Sequence, residues 1–282
     1  MNEKDGTRFV HDGYSIPMTD VFSYHLTGTD PLENLCLEEI LFESFAHERE
    51  IRLTYVNSPC VVIGKHQNPW RETRPEALKA EGIPLLRRIS GGGTVWHDGG
   101  NLVFSWMGPR KLYSRARIDA WLGAALESLG LKFDISSMGD YLYKGFKFSG
   151  NAFAFRQDRV LHHGTLLIDT NLERLNDYMG GLDFPRSIGI ASRPQPVINL
   201  AAVDANISVP VVLSALKTVS KGLPGTFYYG KALEDLMYQR ASDGWVLGAT
   251  PVFSINRADG SELEVKDGKI NGEYFRIKEE KR

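Results

Sequence analysis

The 282-residue chain sets 33 Lys and Arg against 35 Asp and Glu, a net charge of -2, which excludes a generally basic surface for nucleic acid or anionic lipid. Its 42% hydrophobic and 24% charged residues are ordinary globular usage, so wholesale disorder is excluded, and the length suits roughly two domains with a sizeable core. Cys36 and Cys60 lie in apolar surroundings without metal-ligand spacing, which excludes a disulfide framework and a zinc site and sets the expectation of a reducing, cytoplasmic compartment.

Residues 1–20 are polar and charged and lack the apolar stretch of a secretory signal, so they read as an N-terminal extension. No run approaches the roughly 20 apolar residues of a bilayer span, and no membrane association is expected. From Asp30 to His47, Leu32, Leu35, Cys36, Ile40, Leu41 and Phe45 recur near helical spacing with Glu33, Glu38 and Glu39 between them, which predicts the first helix. Ile51–Val56 and Cys60–Ile63 read as strands, Pro75–Ala80 as a short helix, and Pro84–Ile89 as a strand running into Ser90-Gly91-Gly92-Gly93. Asn101–Trp106 alternates like a strand, and Ile118–Leu129 has the period of an amphipathic helix stopped by Gly130. Strands follow at Tyr141–Tyr143, Lys147–Phe155 and Val160–Ile168, then helices at Leu172–Met179, Val211–Ser220 and Ala232–Arg240. The tail changes character from about Asp243: Pro251–Ile255, Glu262–Val265 and Lys269–Ile277 are strand-like and separated by the hairpin dipeptides Asp259-Gly260 and Asp267-Gly268. The mixture lacks a strict βαβ rhythm and predicts an α+β fold, mixed sheets flanked by helices, with a short C-terminal β appendage. The boundary falls between a domain over 1–242 and a segment over 243–282.

Three stretches carry the chemistry. In Arg87-Arg88-Ile-Ser90-Gly91-Gly92-Gly93, glycines that exclude no ligand follow two forked cations, a combination suited to a phosphoanhydride or acyl phosphate. A glycine run alone reads more readily as a flexible hairpin with solvated arginines; the flanking Arg88, Ser90, His97, Asp98 and Asn101 reverse that and weigh toward a site. In the second stretch, Lys147 sits on a strand between Phe146 and Phe148, so its ammonium can project into a cleft while Ser149-Gly150 keeps the backbone open. Lys144 nearby reads as solvated. In the third, His162 and His163 face opposite ways on one strand and cannot easily clasp one metal ion; one is expected to face the ligand and one to be structural. Asp140 and Asp98 are carboxylates that could hold Mg2+ beside phosphates.

Gly64-Lys-His-Gln67-Asn68-Pro-Trp70, Arg87-Arg-x-Ser-Gly-Gly-Gly-x-Val-x-His97-Asp-x-Gly-Asn101, Lys147-x-Ser-Gly-x-Ala152 and His162-His-Gly-Thr165-Leu, in this order, resemble the lipoate–protein ligase A family from about Leu32 to Leu200. The resemblance implies a biotin/lipoate ligase-type fold and a two-step reaction. Lipoate and Mg2+-ATP give lipoyl-adenylate and pyrophosphate, and the acyl group then passes to a lysine of a lipoyl carrier domain, of a 2-oxoacid dehydrogenase E2 subunit or the glycine cleavage H protein.

It implies that Lys147 contacts the adenylate's carbonyl and phosphate oxygens, and that Arg88, Ser90, Gly91, Gly92 and Gly93 line the lipoate and phosphate channel. His97 and Asn101 shape the same pocket; Ser149, Gly150, Ala152, His163, Gly164 and Thr165 complete it; Asp140 lies near metal and nucleotide. Ser192 and Arg193 belong to a segment, Gly189–Leu200, similar to an adenylate-covering loop. An apolar tunnel for the acyl chain is expected around Val95, Val103 and Phe148. Two departures stand out: Gly139 replaces the asparagine that commonly precedes the aspartate, and the adenylate-covering loop is longer, with Pro194-Gln195-Pro196 stiffening it. The tail, through Trp245, Gly248, Pro251 and Phe253, resembles only the first part of an accessory domain. Autonomous activation and dependence on a separate accessory chain both stay open. Related transferases form a thioester on cysteine, which neither the region before Lys147 nor that after Asp169 provides. The competing readings are an ATP-independent lipoyl or octanoyl transferase and a non-catalytic adenylate-binding module; biotin fits on fold grounds alone.

Overall fold

The computed structural model describes residues 8–10, 21–46, 49–220, 226–257 and 259–276; of the N-terminal extension only 8–10 are among them, and Ile277 lies outside. Packing divides the chain into two units, neither continuous in sequence: Met1–Ser58, His97–Thr170 and Pro194–Met237 form one, and Pro59–Trp96, Asn171–Arg193 and Tyr238–Arg282 the other.

In the first unit, helix α1 (Pro31–Ser44) starts where the Asp30 side chain accepts from the Glu33 N–H, with Pro31 at the first turn where no amide is missed. It connects β1 (Val21–His25) to the parallel β2 (Glu50–Val56), a pairing that needs such a crossover. Antiparallel β3 (Asn101–Pro109), β4 (Asn151–Phe155) and β5 (Arg159–Leu167) complete a sheet of order β4-β5-β3-β2-β1. Leu102, Phe104 and Trp106 of β3 and Val160 and Leu166 of β5 pack on one face against α2 (Arg115–Ser128) and α3 (Val209–Ser220). The alternate residues Leu53, Ser105 and His163 lie side by side across β2, β3 and β5 on the opposite face. With both faces covered, β3 is buried throughout and runs to Pro109 rather than ending at Trp106.

A smaller antiparallel sheet joins Asp134–Ile135, Tyr141–Tyr143 and Phe146–Ser149. The strand expected over Lys147–Phe155 is therefore two strands in different sheets. The ladder to Tyr141–Tyr143 slips between Lys147 and Ser149, Gly150 breaks the run, and the chain continues as β4.

In the second unit, Cys60–Ile63 pairs in parallel with Leu85–Arg87 over a core of Val61, Ile63, Leu78, Trp96 and Tyr178. The tail opens with a short helix, Asp243–Val246, that the β reading did not anticipate. Strands Phe253–Asn256 and Glu262–Val265 follow, with Phe253 and Val265 packed on Trp70. The run expected over Lys269–Ile277 breaks at Asn271-Gly272, where φ values of 51° and 88° make a third turn; an Asn-Gly pair is a hairpin signal in its own right. No helix among the described residues is long and apolar enough to cross a membrane.

Candidate active site

In the first unit, Lys147 leaves its strand with its Nζ 3.0 Å from Asp140 Oδ1 and its side chain a quarter exposed, at 25%. Its main chain is fixed on the other edge: the Lys147 N–H donates to Pro196 O at 2.9 Å and its carbonyl accepts from the Ile198 N–H at 3.0 Å. A Cβ at Gly150 would stand 3.0 Å from Lys147 Cε and 3.1 Å from Nζ, so glycine there keeps the space that the lysine stem fills. The Thr165 N–H donates to Gly150 O at 3.2 Å, and Ala152 pairs with His163 and Asn151 with Gly164 across β4 and β5. Ala152, His163 and Gly164 are thus placed by the sheet itself. Ser149 is buried, and its Oγ has no partner among the described residues. Lys144 is exposed in the turn before this strand, as expected of a solvated residue.

The histidines divide as their alternation requires. His163 Nδ1 lies 2.8 Å from Glu38 Oε2, and the same buried carboxylate accepts from Tyr55 OH at 3.3 Å and from Ser105 Oγ. Burial pushes the Glu38 carboxyl upward, but the imidazole and the two hydroxyls outweigh it and hold the group below its ordinary range. His162 faces the other way among Phe104, Tyr113 and Phe153, with the Phe153 ring centre 4.4 Å from its own. Its Nε2 lies 2.7 Å from Asn151 Oδ1, and Asn151 Nδ2 donates to Gly139 O at 2.8 Å. A carbonyl can only accept, which fixes the amide's orientation; His162 therefore carries its proton on Nε2. Burial, then Arg115 and His163, lower its pKa to about 3, so it is neutral. His97 is fixed by the same logic: Asn34 Nδ2 donates to Asn57 Oδ1 at 2.9 Å, and Asn57 Nδ2 donates to His97 Nδ1 at 3.1 Å, leaving the proton on Nε2. Asn101 is buried, its N–H donating to Asp98 O at 3.1 Å, while Asp98 Oδ1 accepts from the Gly100 N–H.

Asn34, Glu38 and Asn57 were not among the residues singled out from sequence. Asn34 and Glu38 stand four apart on α1, one helical turn, so they share a face; that coincidence of two polar residues was the available signal.

In the second unit, the arginines preceding the glycine loop are directed inward. Arg87 is buried and gives every donor to protein: Nε and Nη2 to Val246 O, Nη1 to the carbonyls of Gly64, Lys65 and Gln67, and Nη2 also to Thr250 Oγ1. Burial lowers its pKa to about 10. It offers no fork to a phosphate, contrary to the reading of both arginines as anion donors. Arg88 clamps the loop, with Nε on Ser90 Oγ at 2.9 Å, Nη2 on Gly91 O and Gly93 O at 2.6 Å each, and Nη1 on Val62 O. A trans peptide carries its N–H opposite its carbonyl, so holding Gly91 O turns the Gly92 N–H away from the guanidinium. Gly92 itself is exposed. Ser192 Oγ accepts from the Thr94 N–H at 2.9 Å and from Gln67 Nε2 at 3.0 Å, and its own N–H donates to Glu72 Oε2, which ties the segment before Arg193 to the loop. Arg193 is exposed.

The expected acyl tunnel does not form around Phe148: this ring is 1% exposed, inside the core between Phe133 and Tyr141. Among the described residues no three His, Cys, Asp or Glu side chains gather to hold a metal. Asp140, one carboxylate beside an ammonium, fits the habit of magnesium, which takes one or two carboxylates and completes its shell with phosphates and water. Cys36 and Cys60 are both thiols and both 0% exposed.

Residues 30–220 match the model of the lipoyl protein ligase A/B catalytic domain. The chain is 32% identical to lipoate-protein ligase A of Blochmanniella floridana over 92% of its own length and 83% of that protein's. It is also 32% identical to the Psychrobacter cryohalolentis enzyme of that name, over 80% and 72%. Among solved structures, P. falciparum LipL1 in complex with lipoate superposes with a TM-score of 0.69 at 22% identity, covering 87% of this chain and 80% of that one. A lipoate-protein ligase A bound with ATP gives 0.64 at 22% identity, over 82% and 99%. A bi-partite ligase described with its E2 lipoyl domain, from Thermoplasma acidophilum, gives 0.65 at 21% identity, over 82% and 96%. The α+β fold is that of the lipoate ligases, and the chain belongs to the lipoyl protein ligase A/B catalytic domain family.

Proposed function

We propose that this protein is an ATP-dependent lipoate–protein ligase. Two anions must meet: a lipoate carboxylate oxygen attacks the α-phosphorus of ATP, the bond to the β-phosphate oxygen breaks, and pyrophosphate leaves. The carrier lysine, as free amine, then attacks the carbonyl of the mixed anhydride; AMP leaves and the amine loses a proton. Both steps raise charge on oxygens around the acyl phosphate, which fixed cations and amides stabilise.

The observation that carries this reading is Lys147, an ammonium held at both main-chain edges, given room by Gly150, and partnered by one carboxylate that an incoming anion can displace. Its task is to hold the carbonyl and phosphate oxygens of the adenylate. Ser149 Oγ, buried with a hydrogen bond to spare, is a further donor or acceptor beside it. Arg88 acts through the loop it clamps, presenting the glycine amides, and Ser192 keeps the covering segment on that loop while Arg193 reaches outward. His97, Asn101, His163, Gly164 and Thr165 shape the acyl pocket, and Ala152 keeps its wall small. Magnesium, when bound, would neutralise phosphate charge, and Asp140 is the residue that would hold it.

A cysteine-dependent transferase would need an accessible thiol, and both cysteines are sealed in the core. The acceptor is a lipoyl carrier domain of a 2-oxoacid dehydrogenase E2 subunit or the glycine cleavage H protein, and the setting is the cytoplasm. The segment 243–282 is accessory-like; its Val246 carbonyl and Thr250 hydroxyl serve Arg87. The test is to incubate the purified chain with lipoate, Mg2+ and an apo carrier domain, with and without ATP, and weigh the carrier. Lipoylation in the ATP tube alone is expected. Modification without ATP would overturn the ligase reading, and modification only on adding a second protein would assign activation to a separate chain.

A further inference from the structure

Gly139 has a φ of 84°, a left-handed conformation, and precedes Asp140 directly. A Cβ built on it would fall on Arg115 Nη1, with Cζ 3.2 Å away, so a guanidinium already fills the space of a side chain at 139. That guanidinium is aimed: Arg115 Nε donates to Asp119 Oδ1 at 2.6 Å, Nη2 donates to Gly139 O at 2.6 Å, and the group lies over the Tyr141 ring at 5.5 Å. Tyr141 OH donates to the same Asp119 oxygen at 2.5 Å. The Gly139 carbonyl takes a second bond from Asn151 Nδ2, whose own oxygen is held by the neutral, buried His162. Two rigid donors from α2 and β4 therefore meet on one carbonyl, one residue before the carboxylate that holds Lys147. On the other side of the turn, Ser136 Oγ accepts from the Asp140 N–H at 3.0 Å, and the Ser136 N–H donates to Asp140 O at 2.9 Å.

We propose that Arg115 is a positioning residue: its guanidinium stands in for the missing side chain at Gly139 and, with Asn151 braced by His162, fixes the peptide that aims Asp140 and so orients the Lys147 ammonium. The proposal rests on the ligase reading for what Lys147 does. It assigns a role to a residue outside the four sequence motifs, and it adds a second reason for glycine at 139 to its left-handed φ, since a side chain there and Arg115 compete for one volume. Arginine suits the task because its planar fork bonds a carboxylate and a carbonyl at once; a lysine ammonium has the charge without the geometry.

The experiment measures ATP–pyrophosphate exchange, with kcat and KM for lipoate and ATP, in the wild type and in Arg115→Ala, Arg115→Lys, Gly139→Asn and the double variant Gly139→Asn/Arg115→Ala. A mis-aimed ammonium slows the chemical step more than binding, so Arg115→Ala and Arg115→Lys are each expected to lower kcat about 10- to 100-fold with KM changed about threefold or less. Gly139→Asn, which crowds the guanidinium, is expected to lower kcat comparably in the wild-type background and to cost clearly less once Arg115 is Ala, where only the strain of a side chain at a φ of 84° remains, a non-additive pair. Should Arg115→Ala fail to fold, Arg115→Lys, which keeps the charge beside Asp119, carries the test. The proposal is overturned by unchanged kcat in Arg115→Lys, by a loss confined to KM, or by a Gly139→Asn penalty equal in both backgrounds. A wild type inactive in exchange both alone and with an added accessory chain would refute the ligase reading instead; the Gly139–Arg115 coupling is then read from melting temperatures, where additivity overturns the placement.

Discussion

The second unit holds two arginines before its glycine loop, and the first holds one lysine on a slipped strand; all three are cations in conspicuous motifs, yet they are spent differently. Arg87 and Arg88 direct their donors to carbonyls and hydroxyls of their own unit, while Lys147 meets a single carboxylate. A guanidinium has five donors in a fixed plane and ties together strands and turns that leave carbonyls facing inward. An ammonium is a compact point charge whose one partner an anion of the ligand can replace. Sequence proximity to a glycine loop therefore does not make a cation a ligand group; the number of protein acceptors around it decides.

The sharpest way to break that contrast is to remove one cation from each unit. Lys147→Ala is expected to lower adenylate formation by about 100- to 1000-fold, the scale for losing one preorganised electrostatic donor, with the melting temperature nearly unchanged. Arg87→Ala should do the reverse. It strands the buried carbonyls of Val246 and Gln67 and frees that of half-buried Lys65, and at about 1–3 kcal/mol for each unsatisfied group, with the loss of a buried tie between the loop and the tail, the second unit is strongly destabilised. Circular dichroism melts beside pyrophosphate exchange decide it: a stable, inactive Arg87→Ala would show that Arg87 touches ligand after all. Arg88 lies between the two. Arg88→Lys keeps charge but cannot hold Gly91 O and Gly93 O together, and exchange should fall about tenfold to thirtyfold through a loosened loop. Wild-type activity would mean that charge alone suffices.

Why the inward partners of Arg87 were not legible while the setting of Lys147 was follows from what each depends on. Lys147 and Gly150 are local: strand alternation and a glycine three residues away are visible in the chain itself. The helices at Pro31–Ser44 and Arg115–Ser128 were equally legible, because periodicity, Asp30 as a cap and a glycine stop are local signals. The partners of Arg87 are not local, since Val246 and Thr250 come from 159 and 163 residues away. Glu38 was read as part of a polar helix face because nothing nearby in sequence announces Tyr55, Ser105 and His163, which β2, β3 and β5 bring to it. The break at Gly150 was missed for the same reason: only the pairing of Asn151 with β5 and of Phe146 with Tyr143 makes one apparent strand two.

A smaller effect separates the two faces of the first unit's sheet through pH. His162 has a folded pKa of about 3 against an ordinary 6.5, so between these values the unfolded chain binds a proton that the native one does not. Stability then rises with pH across that window, is fully present above about 6.5, and is lost on acidification at about 1.4 kcal/mol per pH unit. His25, lowered chiefly by burial and next by Lys217, adds in the same direction. Glu38, held low on the opposite face, begins to take up a proton preferentially in the unfolded state only from its ordinary 4.5 downward. Urea unfolding at pH 5 to 6.5 therefore isolates the imidazoles. His162→Phe should flatten that slope by about one proton while Arg115 on its own side and His163 behind it on the opposite face stay in place; an unchanged slope would show that His162 is protonated in the folded state.

The smallest expected change concerns sulfur. A transferase mechanism and a ligase mechanism differ in whether the acyl group ever rests on a thiol, and Cys36 and Cys60 are wholly buried in the cores of different units. Replacing both by alanine removes one heavy atom at each site, which costs about 1 kcal/mol apiece in packing and shifts the melt by several degrees. ATP-dependent lipoylation should stay within about twofold of wild type, because no step passes through either side chain. The comparison of cations gains its control this way: if the double variant folds and pyrophosphate exchange persists while transfer to the carrier stops, Lys147 activates the acid but a thiol delivers it. Intact mass of the wild-type enzyme after one turnover without carrier then discriminates, since a thioester adds the acyl mass covalently and is released by hydroxylamine, whereas an adenylate held by Lys147 leaves the protein mass unaltered.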